Sequence, residues 1–160
     1  MHSRIFEISH TPIAPEEYLK EYSIPDWFCG AIADYVDEDT DRKSDIEWLL
    51  QYLKGAATYS EEDSSLIFQP NAKKKAFSAN YIAFRESLNA LLSVSEEVFS
   101  GESHDQDLSM MMYRLKEAYS NEFGFYIYSH GWGLRTLDEW LRDADLSKKY
   151  YIGGTLDYHF

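Results

Sequence analysis

A single cysteine, Cys29, excludes a disulfide framework and fits a reducing compartment. Four prolines and eight glycines are too few for a collagen-like or linker-rich chain, and no internal repeat or low-complexity tract interrupts the 160 residues. No apolar run approaches the ~18 residues of a membrane-spanning helix. The opening MHSRIFEI also lacks the apolar core of a signal peptide, so a cytoplasmic protein without membrane contact is expected. Basic residues are scarce as well: 15 Lys and Arg stand against 28 Asp and Glu, a net charge of −13. The excess is −7 over residues 1–80 and −6 over residues 81–160, so a folded surface carries it and not a terminal tail. Such a surface repels nucleic acid and anionic membranes and attracts basic partners.

Short catalytic signatures are missing too. There is no HExxH, no GxSxG, no GxxxxGK[ST], and no GxGxxG followed by an acid. The histidines, His2, His10, His104, His130 and His159, show no close ligand spacing, so neither metal nor cofactor is expected.

What the chain does have is a globular composition, 44% hydrophobic and 16% aromatic with 13 Tyr and 4 Trp. Most of these rings read as core, because they recur at helical or strand spacing. Arg4–Ser9 reads as an opening strand. Pro15-Glu16-Glu17 starts a short helical turn, and Pro25-Asp26 opens a helix with Trp27, Phe28, Ala31, Ile32 and Tyr35 on one stripe. Ser44-Asp45-Ile46-Glu47 has the capping-box form ahead of Ile46, Leu49, Leu50 and Leu53, and Gly55 fits the stop. Ala57–Tyr59 and Leu66–Gln69 predict a hairpin. A long helix carries Phe77, Tyr81, Phe84, Leu88 and Leu91, with a brief turn at Glu96–Phe99, and another helix carries Leu108, Met111, Met112, Leu115 and Tyr119. Phe123–Tyr128 reads as a strand, Ser129–Gly133 as a turn, Thr136–Glu139 as a second capping box, and Tyr150–Tyr158 as a strand with a bulge or close backbone approach at Gly153-Gly154. These elements predict a single α+β domain over residues 1–160, with helices on a mostly antiparallel sheet of about four or five strands.

The densest local feature is Asp34–Glu47, seven acids against Arg42 and Lys43. Its alternate acids Asp37, Asp39 and Asp41 imitate a calcium loop. Arg42 stands where that loop needs glycine, however, and Trp48 where it needs its last glutamate. On a continuous helix Asp34, Glu38, Asp41 and Asp45 would form one row of carboxylates ~5–6 Å apart, a spacing on the scale of nucleic-acid charge. The plainer alternative is that these acids end one helix and cap the next. Lys73–Lys75 reads as a solvated face, its charge awkward at a helix start. Asp157 and His159 share a strand face, where a catalytic dyad is conceivable and a surface strand is the simpler account. Cys29, amid Trp27 and Phe28, reads as a small buried hydrophobe, and Met110–Met112 as core filler.

The expected function is a non-catalytic acidic protein that binds a basic protein surface, with nucleic-acid mimicry against a nuclease or defence enzyme as one form of it. The contact residues expected are Asp34, Asp37, Glu38, Asp39, Asp41 and Asp45, with Asp138, Glu139, Asp143 and Asp145 as a second patch. In size and acidity the chain is similar to the small inhibitors that phages and mobile elements use against restriction or CRISPR nucleases. That likeness lies in bulk properties and carries no residue across. The alternatives are a metal-dependent hydrolase or transferase whose carboxylates converge only in the fold, and an oligomer with a Tyr- and Trp-rich self-interface.

Overall fold

In the computed structural model, which describes residues 1–160, seven strands form one sheet. They are β1 (His2–Ser9), β2 (Tyr35–Asp37), β3 (Ala57–Ser60), β4 (Ser65–Phe68), β5 (Tyr126–Ser129), β6 (Gly133–Thr136) and β7 (Tyr150–His159). The order is β3-β4-β7-β1-β5-β6, with β2 beside the C-terminal end of β7. Every pairing is antiparallel except β1 with β5. The α+β class and the mostly antiparallel sheet are as expected, but there are more strands than four or five. The turn read at Ser129–Gly133 runs into β6, and β2 arises where a helix was predicted. Both are too short for alternation to declare them.

The helices are α1 (Phe28–Ala31), α2 (Arg42–Tyr52), α3 (Ala72–Leu92), α4 (Glu96–Ser100), α5 (Leu108–Tyr119) and α6 (Leu137–Asp143), with 3-10 turns at Pro15–Glu17 and Glu21–Ser23. The chain divides into two compact units, Met1–Ala76 with Glu122–Phe160, and Phe77–Asn121.

In the first unit, consecutive buried residues Ile5, Phe6, Glu7 and Ile8 mark β1 as an interior strand covered on both faces. One face carries Ile5, Tyr126, Leu134, Leu156 and Tyr158, packed under Leu19, Ile24, Phe28 and Ala33 of the 10–33 segment. Phe28 and Tyr158 are fully buried and meet edge to face at 5.2 Å. Each such side chain contributes roughly 1.5–3 kcal/mol relative to exposure. On the opposite face Arg4 and Thr155 reach Asp45 of α2. The buried residues Leu137, Trp140 and Leu141 form the apolar side of α6.

Several local readings hold and several change. Thr136 and Glu139 form the predicted capping box, with reciprocal bonds of 3.2 Å. The bulge at Gly153-Gly154 is present too, because β1 pairs Phe6 with Thr155 but Ile8 with Ile152, leaving both glycines opposite Glu7. By contrast α1 is one turn and not a full helix. Cys29 (ψ 114) and Gly30 (φ 104) leave the helical region, which exposes Cys29 and sends Tyr35 into β2. α2 begins at Arg42, capped by Asp41 and not by Ser44: Asp41 Oδ1 accepts from Lys43 N (3.1 Å) and Ser44 N (3.3 Å). The lysine triplet lies in the first turn of α3 after all, and Lys73 Nζ donates to the Arg142 carbonyl at 2.5 Å.

The second unit holds α3 beyond Ala76, α4 and α5. Ser95 and Asp107 cap α4 and α5 by accepting from Val98 N (3.3 Å) and Met110 N (2.9 Å). None of its residues is buried. Met110 and Met112 are exposed instead of filling a core, as are Tyr81, Ile82, Leu92 and Phe99.

Candidate functional site

Residues 16–41 contain nine acids and one base, Lys20. Two loops of this stretch are tied together by Glu38, whose Oε2 accepts from Lys20 Nζ (2.9 Å) and whose Oε1 accepts from Glu21 N (3.2 Å). The bond from Lys20 holds the Glu38 carboxyl below its ordinary value, and the same contact raises the Lys20 ammonium. Asp37 Oδ1 accepts from Asp39 N at 2.9 Å, and Asp34 lies 3.1 Å from His159 Nδ1. Asp41 is held below its ordinary value by its bond from the Ser44 hydroxyl. Glu16, Glu17, Glu21, Asp37 and Asp39 are exposed on these loops.

Asp45 belongs elsewhere. At 3% exposure it is buried, accepting from Arg4 Nε (2.5 Å) and Thr155 Oγ1 (2.8 Å), so it cannot be part of an outward face. The helical row Asp34-Glu38-Asp41-Asp45 does not form either, because β2 and an irregular turn occupy residues 35–41.

The second group of acids is largely engaged locally. Asp138 is buried within 3.4 Å of the Tyr52 hydroxyl, and Glu139 closes the capping box. Asp143 pairs with Arg135 at 2.8 Å. Asp145 accepts from Ser147 N and Oγ, which holds its carboxyl down, and sits 3.8 Å from Lys148. Asp143 and Asp145 nevertheless line a cavity of about 350 Å³ whose walls include Trp132, Trp140 and Tyr150.

Asp157 and His159 do not meet as a dyad. Asp157 receives Arg4 and lies 2.7 Å from His2 Nδ1, whereas His159 stacks on Tyr35 and faces Asp34. Both pairs stitch chain segments together at the end of β7.

One site has no counterpart among the sequence-based expectations. Glu7 projects from β1 on the Ile5 face and is 1% exposed. Its Oε2 accepts from Leu19 N and Gly154 N, each at 2.9 Å, and the missing side chain at Gly153 leaves room for the carboxylate. Oε1 has no hydrogen-bond partner; the His130 imidazole lies 3.5 Å from it through Nε2. Glu7 forms the floor of a pocket of about 160 Å³ beneath the 16–23 segment, with Tyr18, Tyr22, Tyr128 and His130 around it. The signal was legible: an acid between Phe6 and Ile8 in a strand apolar on both faces must point inward.

No group of three or more His, Cys, Asp or Glu side chains is placed to hold a metal ion, and no helix is long and apolar enough to cross a membrane. Comparison of the chain with protein-family models, curated proteins and solved structures finds no match.

Proposed function

We infer that this chain is a non-catalytic interaction protein that binds a basic protein surface through the loops bearing Glu16, Glu17, Glu21, Asp34, Asp37, Glu38 and Asp39. The observation that carries this reading is the Glu38 tie, which holds two acid-rich loops together around a single lysine. Local pairing moves charge about without reducing it: the sheet-bearing unit keeps 21 acids against 12 bases, net −9. A concentrated anionic face steers cationic partners and sets orientation more than it sets raw affinity. Asp143 and Asp145 are left out of this face, because Arg135 and Lys148 already pair with them. Nucleic-acid mimicry is the form this binding takes when the partner is itself a nucleic-acid-binding enzyme.

The test is a salt-graded capture with the full chain as bait, followed by titration of the identified partner. Raising salt from about 50 to about 500 mM should weaken Kd at least tenfold, as screening predicts. The variant E16Q/E17Q/D37N/D39N should bind about as weakly at low salt, and duplex DNA should compete if the partner binds nucleic acid. Asp41 is left intact because it caps α2. Salt-independent binding, or a neutralised variant that binds like the wild type, refutes the reading.

A further inference from the structure

We propose that the Glu7 pocket is a binding site for a primary alkylammonium group, and this holds whether or not the acidic loops bind a protein. A carboxylate removed from water needs both its oxygens satisfied. Glu7 satisfies Oε2 with two backbone amides and leaves Oε1 without a donor. The bonds from Leu19 N and Gly154 N fix the carboxylate plane, so Oε1 is a preorganised acceptor at the pocket floor.

No fixed cation of the chain is free to take that position. Lys20, the one lysine lining the pocket, is committed to Glu38. The imidazole of His130 stands 3.5 Å off, beyond hydrogen-bond geometry to Oε1, on a side chain that is 72% exposed and edge-on to the Tyr128 ring. Glu16 and Glu17 at the rim add negative potential, and Tyr22 and Tyr128 line the walls, while the Tyr18 ring is already engaged by the Arg42 guanidinium at 5.3 Å. A volume of about 160 Å³ admits an ammonium head with a short alkyl stem. An ammonium supplies three donors and a full charge to a site that offers one buried acceptor and aromatic walls.

Such a group comes either from a free small amine or from a lysine side chain of a polypeptide, and two probes separate the sources. The ¹H–¹⁵N spectrum is followed while n-butylammonium chloride is added, with sodium chloride and n-butanol as controls, and then with Nα-acetyl-lysine N-methylamide. Saturable shifts of the Leu19 and Gly154 amides under butylammonium alone assign a free amine; equal responses to both amines assign a lysine side chain. Glu7→Gln should weaken binding about tenfold or more, the scale of a charge-assisted bond. Because that change disturbs a buried anchor, His130→Ala is the companion: it opens Oε1 from the solvent side and should preserve or tighten binding. Shifts no larger than those from sodium chloride, or loss of binding in H130A, overturn the proposal.

Discussion

Replacing Gly153 with alanine isolates the contact on which the Glu7 anchor is built. A Cβ at that position would lie 2.2 Å from Glu7 Oε2 and 2.7 Å from Ile13 Cδ1, both far inside van der Waals contact. The Gly153 φ lies outside the left-handed region, so alanine brings no backbone strain and the whole cost is steric. A carboxylate tip ordinarily swings away from such a clash. Glu7 cannot do so freely, because it is 1% exposed and Oε2 holds the Leu19 and Gly154 amides. Relief means either breaking bonds to a charged acceptor, about 1.5–3 kcal/mol each, or shifting the sheet, where overpacking costs about 1–3 kcal/mol. The expected loss is about 2–4 kcal/mol, a fall in Tm of roughly 5–15 °C for a chain of this length.

Urea unfolding monitored by tryptophan fluorescence measures that loss, and a double-mutant cycle with Glu7→Ala assigns it. With Glu7 Oε2 and Cδ removed, Ile13 Cδ1 is the one left of the three nearest atoms, so Gly153→Ala should cost at least about 1 kcal/mol less in the Glu7→Ala background. A single mutant within about 0.5 kcal/mol of wild type, or a cycle that is additive, refutes the claim that Glu7 is pinned.

Thr136→Ala should destabilise by about 1 kcal/mol in the same assay, since it removes the acceptor for Glu139 N at the start of α6; an unchanged midpoint would mean the box is idle. Lys149 holds the Asp63 carboxyl well below its usual range. A lowered folded value contributes stability above the unfolded value of about 3.9, lost as pH falls through the folded one. Carbon-detected titration of Asp63 should therefore find a low midpoint that Lys149→Gln restores toward the ordinary value, and equal midpoints would count against the pair.

The parts of the fold legible in the sequence were those whose local chemistry decides their structure. The Thr136–Glu139 box needs only its own four residues, and the glycine pair of β7 could announce a bulge without knowing its partner strand. The failure between Trp27 and Asp41 has the opposite cause. Trp27, Phe28, Ala31 and Ile32 sit at helical spacing, yet Gly30 adopts φ 104 and β2 finds hydrogen-bond partners in β7, which is more than a hundred residues away. Pairing with a distant strand outweighed a local period, as β pairing commonly does. The acids divide in the same way. Asp41 was readable as a cap, but Asp45 and Asp138 are buried by partners as remote as Arg4 and Tyr52. Glu7 is the instructive miss, because its flanking residues declared it inward while its ligating amides, from Leu19 and Gly154, lie outside any local window.

Caps and ion pairs explain where particular acids sit but not how many there are. In residues 16–41 Asp41 caps α2, Asp34 and Glu38 face His159 and Lys20, and Asp37 closes a turn on Asp39 N. Glu16, Glu17, Glu21, Asp26 and Asp39 remain exposed on the same stretch, and none of them accepts a bond through its side chain that would order the loops. Like charges held this close repel, and folding gains nothing by keeping them. A globular chain solves solubility with both signs interspersed, as the Asp143–Arg135 and Asp145–Lys148 pairs do on the other acid-rich segment. The difference between the two segments is thus the physical ground for proposing the binding face on the first, where nine acids share one lysine and a basic partner would supply the remaining countercharge.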